Sequence, residues 1–347
     1  LGGYTLGSSV LSIPNTTDIN VGDIVEVWQS NDSSKMYSNS RMLTSSGDAS
    51  AYNDAFEDWA RNAVGEIAKV TAKNNNQIHL DRKLHLNYKP HLKPKIRRLG
   101  MAKDVGFENL KIHRMSDPSF SENTKDNVTI MFDRAYNCWV RNVEMSWGMK
   151  SHIWIRRSYK IEVRDSYFHH AYDRGGGGHG YGVTMNTHVT SCLVEHNAFN
   201  SLRHAMIVSV GANGNVFGYN YSRDSWDPAG NSGFGDQKAD ISIHGFYPFM
   251  NLFEGNIVEF MHSADWWGAS GPGNTFFRNR ASEKPMTVWD NSDYQNIIGN
   301  ELTNSMLSGN NFEIENSCQN TNRHSNNDRG DIDVNKINTL PPSLYKS

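Results

Sequence analysis

Short runs in which apolar and polar positions alternate recur along the middle of the chain, most of them closed by an asparagine. They lie at 107–112, 138–143, 161–166, 192–197, 215–220, 251–256, 274–279 and 296–300. The marker residues are Asn109, Asn142, Asp165, Asn197, Asn220, Asn256, Asn279 and Asn300. Four of the steps between them are 21 to 23 residues long. The other three, at 32 to 36, are the same step enlarged by a loop of about ten residues. A repeat of that length with such short strands is one coil of a parallel β-helix. Asparagines stacked at a tight bend can hydrogen-bond to one another and to the bend backbone, which gives the marker a physical reason.

A second series of strands precedes the markers, at 128–132, 152–156, 182–186, 205–209, 241–244, 265–267 and 286–290. Its alternation turns one side of each strand inward and the other to solvent. Between 105 and 305 no segment has the length and period of the helical crossovers that an α/β fold requires, so the class is all-β. Residues 1–104 read as an N-terminal cap with the first coils: strands at 21–27 and 65–70, and a short helix over 51–63 around Phe56, Trp59 and Ala60. An open solenoid end exposes strand edges, so a cover is expected there. Residues 105–315 then form the β-helix, and 316–347 a loop-rich tail of the same continuous unit.

Composition sharpens this picture. A hydrophobic content of 37% and a mean hydropathy of -0.63 suit disorder only with high net charge and few aromatics. Here the net charge is -3, with 9 Trp, 14 Tyr and 15 Phe, so the core must be real but thin and repetitive. No apolar run reaches membrane-spanning length, and the near-neutral charge makes no case for nucleic acid. The chain opens at Leu1 without a signal-like apolar stretch, as a mature fragment would, and is expected to be secreted or at a cell surface. Cys138, Cys192 and Cys318 match neither a disulfide framework nor a zinc site. Cys138 and Cys192 fall two coils apart, roughly 10 Å, too far to bridge, and read as packing residues.

Residues at equivalent places in adjacent coils lie roughly 4.8 Å apart, so vertical stacks can be proposed. Counting back 16 residues from Asn220 and Asn256 gives His204 and Asp240 as neighbours; Asp265, 14 before Asn279, joins them. With His179 and His244 these make a stripe of titratable groups, and convergence of that kind points to an active site. Two loop insertions fall beside it. One carries Tyr172, Asp173, Arg174 and four glycines at 175–178; the other runs from 223 to 238 through Trp226 to Lys238. Raised loops on a rigid scaffold are where binding residues concentrate, and Trp226, Trp266, Trp267 and Trp289 offer flat faces for sugar rings. Trp266 and Trp267 alternate, so one of the pair packs inward. No metal is assigned: His169, His170 and His179 match no ligand spacing, while calcium on Asp224, Asp227 and Asp236 stays open as an option.

The coils resemble the right-handed parallel β-helix of the pectin-lyase-like superfamily. The residues that carry the resemblance are Arg203-His204, 211–217, 219–222, His244-Gly245, 251–256 and 271–280, which are similar to a group of secreted bacterial β-helix proteins. The resemblance implies a right-handed solenoid and a polysaccharide lyase or glycoside hydrolase acting on acidic or sulfated polymers. Gly178-His179-Gly180 echoes a polygalacturonase motif, but its Asp partners are out of order, and the calcium pattern of pectate lyases is absent from the sequence.

Three readings follow. In an endo-acting glycoside hydrolase, favoured here, Asp240 and Asp265 are the acid and base, with Asp173 a third carboxylate. His204 and His244 then tune them, and Arg174, Arg203 and Lys238 pair with acidic groups on the sugar. In a polysaccharide lyase, His204, His244 or Tyr172 removes the proton beside a uronate carboxylate that Arg203 or Lys238 neutralises. In a non-catalytic glycan-binding solenoid the stripe only recognises the polymer. His179, Trp226, Trp267 and Trp289 line the substrate in the enzymatic readings.

Overall fold

In the computed structural model Phe107, Val140, Val163, Val194, Phe217, Phe253, Phe276 and Ile297 stand one above another, each paired in parallel register with the next. The described residues are 2–32, 62–115, 127–172, 174, 178–225, 238–263, 269–284, 286–289, 292–302, 312–314, 316–318, 320–324, 326, 341 and 343–346. The stack is the inner face of one wall of a right-handed parallel β-helix. Two further walls complete a three-sided cross-section: a fifteen-stranded sheet supplies two columns and an eight-stranded sheet the third. Strand Trp139–Gly148 is long enough to belong to the first and second columns together, pairing Val140 with Val163 and Met145 with Phe168.

The inward positions are those the alternation marks. Ile130, Ile153, Val183, Met206, Ile241 and Met261 line the third column, and Met145, Phe168 and Phe199 the second. Phe217, Phe253 and Phe276 stack with ring centroids 5.2 and 5.0 Å apart, nearly parallel, because parallel in-register strands place identical side chains one strand spacing above each other. Each coil thus contributes a handful of apolar side chains to one shared core, as the thin hydrophobic budget required.

The asparagines do form a ladder, displaced by one residue from the expected markers in the first coils. Asn197, Asn220, Asn256, Asn279 and Asn300 each donate from Nδ2 to Oδ1 of the next at 2.9–3.1 Å, the last acceptor being Asn326, and each also donates to a carbonyl of the coil behind. Towards the N-terminus Ser166 takes the ladder position, whereas Asn109, Asn142 and Asp165 sit one residue earlier with φ of 52 to 56°. That left-handed bend tolerates Asn and Asp, so two different physical demands share one sequence signature. A second ladder, Asn215–Asn251–Asn274–Gln295, runs alongside; Cys192 leads into it, and Cys138 lies two coils before Cys192.

Three expectations need correction. The solenoid does not end at 315: Phe312–Ile314 continues it as expected, and Asn322–His324, placed in the tail, adds a further rung. The third-column rung placed at 265–267 is Met261–Ser263 instead, while 265–267 fall outside the described residues. Among the described residues before 104, Val10–Ser12, Ile24–Trp28, Gly65–Lys73, Gln77–Leu80 and Lys95–Leu99 build a five-stranded antiparallel sheet. Its described contacts run along the flank of the solenoid rather than over its end. Ile67 donates to Thr190 Oγ1, Asn213 donates to the Gly65 carbonyl, and His188 Nδ1 meets Glu26 at 2.7 Å. Val210, Phe246 and Phe249 share an apolar cluster with Val25 and Val27 of that sheet. The helix expected over 51–63 lies almost wholly outside the described residues. Among the described residues no helix is long and apolar enough to cross a membrane.

Candidate functional site

The turn between the second and third columns carries the loop insertions, so side chains at the start of third-column strands stand beside them. His204 opens strand His204–Val208 and packs against Tyr181 directly behind it in register, ring centroids 5.3 Å apart. Its Nδ1 lies 2.6 Å from the Ala239 carbonyl. A carbonyl only accepts, so Nδ1 carries the proton and Nε2 is left as the basic nitrogen.

Two more imidazoles converge there. His244 and His262 both lie with ring centroids 6.3 Å from His204. His262 is held by Ser242, its register partner in the preceding coil, at 2.7 Å. His204 and His262 are buried, and His244 is half-buried. Burial pushes His244 down to about 3 and His262 down to about 4, and holds His204 well below the ordinary range. Neighbouring cations act the same way: Arg203 on His204 and His244, Lys238 on His262. The recess therefore presents unprotonated imidazoles next to a guanidinium and an ammonium at neutral pH. Such a set can accept a proton from carbon while compensating a neighbouring carboxylate.

His204, His244, Arg203 and Lys238 are brought together as the sequence suggested. Asp240 is not with them. It aligns with Ala205, not His204, because Met206 pairs with Ile241. One residue of register changes the face on which a side chain emerges. Asp240 points into the solenoid, fully buried, where Ser222 donates to Oδ1 and the Glu259 and Phe260 amides donate to Oδ2. Burial pushes its carboxyl up to about 7, yet a group sealed inside the core cannot protonate a substrate. The role of catalytic acid or base for Asp240 is withdrawn on that ground.

The remaining expected residues scatter. Tyr172 belongs to a separate group, its hydroxyl bonded to the Arg114 carbonyl and its ring 5.1 Å from Trp147, which also packs on His170. Arg174 is half-buried, and burial lowers its guanidinium despite the nearby Asp224. Asp224 itself accepts from Asn200 at 2.6 Å. His179 is half-buried two residues before Tyr181, on the approach to the recess, and Trp289 is half-buried just after strand Met286–Val288. Asp173, Asp265, Trp226 and Trp267, with Asp227 and Asp236 of the calcium option, lie outside the described residues.

His262 is the residue that sequence reasoning missed. It lies 17 residues before Asn279, whereas its register partner Ser242 lies 14 before Asn256. Extra residues after the strand broke the count, although the Met261-His262-Ser263 alternation was there to be read.

A scan against protein-family models finds no match, and a search of curated proteins finds none either. Among solved structures the chain is similar to the tailspike protein gp49 from Pseudomonas phage LKA1, with a TM-score of 0.57 and 13% identity. The match covers 86% of this chain and 44% of that one. Looser matches are the Gp54 tailspike of Acinetobacter baumannii bacteriophage AP22, in complex with A. baumannii capsular saccharide, and the tailspike gp61 of Pseudomonas phage phi297. Their TM-scores are 0.36 and 0.37, their identities 11% and 12%; they cover 93% and 90% of this chain and 62% and 61% of theirs. The likeness to gp49 is one of fold: this chain is a parallel β-helix that spans less than half of that tailspike's length.

Proposed function

We propose that this chain binds an acidic polysaccharide and cleaves it by β-elimination in the recess of His204, His244 and His262. One observation carries the reading: basic imidazole nitrogens kept unprotonated by burial stand beside Arg203 and Lys238. A uronate carboxylate drawn to Arg203 or Lys238 has its charge compensated, which acidifies the adjacent carbon-bound proton. Nε2 of His204 takes that proton; the electron pair forms the new carbon–carbon double bond, and the glycosidic oxygen leaves with its sugar, taking up a proton from water to become a hydroxyl. The reading is preferred to hydrolysis by Asp240, which faces the core; the other two carboxylates of that scheme, Asp173 and Asp265, lie outside the described residues. A β-helix offers a long rigid outer wall on which a polymer can lie.

The test is a panel of pectins, alginates, glycosaminoglycans and sulfated algal glycans, assayed for new reducing ends and for ultraviolet-absorbing unsaturated uronates. Unsaturated products that disappear in His204→Gln and Arg203→Ala support elimination. Reducing ends without unsaturation would establish hydrolysis instead. Binding with no product would make the chain a glycan-binding solenoid.

A further inference from the structure

The outer face of the first column is remote from the histidine recess and carries a cavity of about 390 Å³. Its lining includes Trp139, Glu108, Arg141, Lys160, Glu162 and Leu193. Gly106 makes the wall possible: a Cβ there would come within 2.2 Å of the Trp139 indole, so only glycine lets the ring lie along the strand in front. The volume is in the range of small-ligand sites. The charges around it are already matched. Glu108 accepts from Trp139 Nε1 at 2.7 Å and from Arg141 at 2.9 Å; Lys160 holds Asp81 at 2.9 Å, and Arg164 faces Glu162 at 3.5 Å. A charged ligand finds no uncompensated counter-charge there, whereas hydroxyls can share every one of these groups.

The same face continues C-terminally into a trough that the chain fills with its own residues. Leu193, on the cavity wall, and Glu195 share one strand. Beyond Glu195 come Gly218 and then Glu254 in register. Tyr345 lies over Gly218, where a Cβ would meet its hydroxyl at 2.3 Å. Its hydroxyl donates to Glu195 at 3.1 Å, the Leu344 amide donates to Glu254 at 2.8 Å, and Lys346 Nζ is 3.3 Å from Glu195 and 4.4 Å from the Tyr219 ring centre. Every one of these strap-to-carboxylate contacts is a donor meeting an acceptor. A ring bearing outward donors is the shape and chemistry of a sugar unit.

We infer that the first column's outer face is a second glycan site, for an uncharged hydroxyl-rich segment, seated in the Trp139 cavity and extending into the trough that residues 343–346 occupy. The strap shortens the site, and its release lengthens it. This stands apart from the eliminative recess on the third column.

The experiment is calorimetric titration of the whole chain with cellohexaose, maltohexaose and mannohexaose, and with the matching disaccharides. At least one hexaose is expected to bind. Leu193→Trp, which fills the cavity from a half-exposed position, is expected to weaken it by about tenfold or more. Removal of residues 341–347 is expected to tighten the hexaose by about fivefold or more and leave the disaccharide unchanged. Thermal melts establish that each variant is folded, and Trp139→Phe serves as a second cavity variant. Absence of hexaose binding in both the whole chain and the truncated one overturns the site. Indifference to Leu193→Trp and Trp139→Phe overturns its placement, and indifference to the truncation overturns the trough. His204→Gln leaves this binding intact if the two sites are separate, so failure here and failure of the eliminative reading are told apart.

Discussion

The Ser222 hydroxyl donates to Oδ1 of Asp240 at 2.6 Å inside the solenoid, in a stack that includes Met145, Phe168 and Phe199. Burial raises the Asp240 carboxyl to about 7, well above its value in an unfolded chain. A raised folded pKa means that the folded state holds the proton longer. Its stabilising contribution is full below about pH 4 and is lost as pH rises through about 7. Asp240→Asn keeps an acceptor for the two amides and offers an amide N–H to the Ser222 oxygen, reversing that bond, without the ionisation. Urea unfolding is expected to find this variant more stable than the native chain at pH 8 and close to it at pH 4. A variant less stable at pH 8 would contradict the account. Full loss of cleavage at undiminished stability would return Asp240 to the catalytic machinery.

The histidine recess is expected to respond with the opposite slope. His244 and His262 are held down at about 3 and about 4 by burial, while in the unfolded chain they titrate near 6.5. Their contribution to stability is present above about pH 6.5 and is lost as pH falls towards 3 to 4. Burial likewise holds His204 well below the ordinary range, so the proposed base is still unprotonated in mild acid. Cleavage of an identified polymer is expected to hold its rate from pH 7 to pH 5. An acid limb centred near 6.5 would mean that the working base is an ordinary solvated histidine.

Asn256 stands in mid-ladder, accepting from the amide and Nδ2 of Asn220 and donating to the Phe217 carbonyl and to Asn279. Asn256→Ala strands several buried groups at once, each worth about 1–3 kcal/mol, so a loss of about 3 kcal/mol or more is expected in denaturant titration. Asn296→Ala, on the outer face two coils on, is expected to cost about 1 kcal/mol or less. Equal losses would remove the special standing of the ladder.

Glu26 joins the antiparallel sheet to the solenoid. Burial alone would raise its carboxyl, but His188 at 2.7 Å and Arg97 at 2.6 Å outweigh that and hold it at about 2. Its contribution is therefore present above about pH 4.5 and lost as pH falls towards 2. Glu26→Gln is expected to cost about 3 kcal/mol at pH 7, as for a broken buried pair, and much less at pH 3. Hydrogen exchange should rise at 65–70 and 188–190 together. Exchange confined to one side would mean that the pair does not fasten the two parts.

The coil, its inward positions and the asparagine ladder were legible because a solenoid repeats one local solution. A wrong guess at one coil is corrected by the next. The site was less legible because it depends on phase within a strand. Asp240 was assigned to the wrong face by a single residue, and His262 was hidden by extra residues in one turn. The Glu26–His188 pair was out of reach for another reason: its partners are 162 residues apart and neither belongs to the period.

The flanking sheet also constrains the order of assembly. Glu26, Gly65 and Ile67 have their partners at His188, Asn213 and Thr190, and Val25 shares a cluster with Phe249. A chain emerging from the ribosome makes the sheet first and its docking surface long afterwards. The strands at 24–28 and 65–73 must wait, with one apolar face uncovered, until several coils have wound. Once seated, they tie those coils together, so this solenoid should lose its middle in one step instead of unzipping coil by coil.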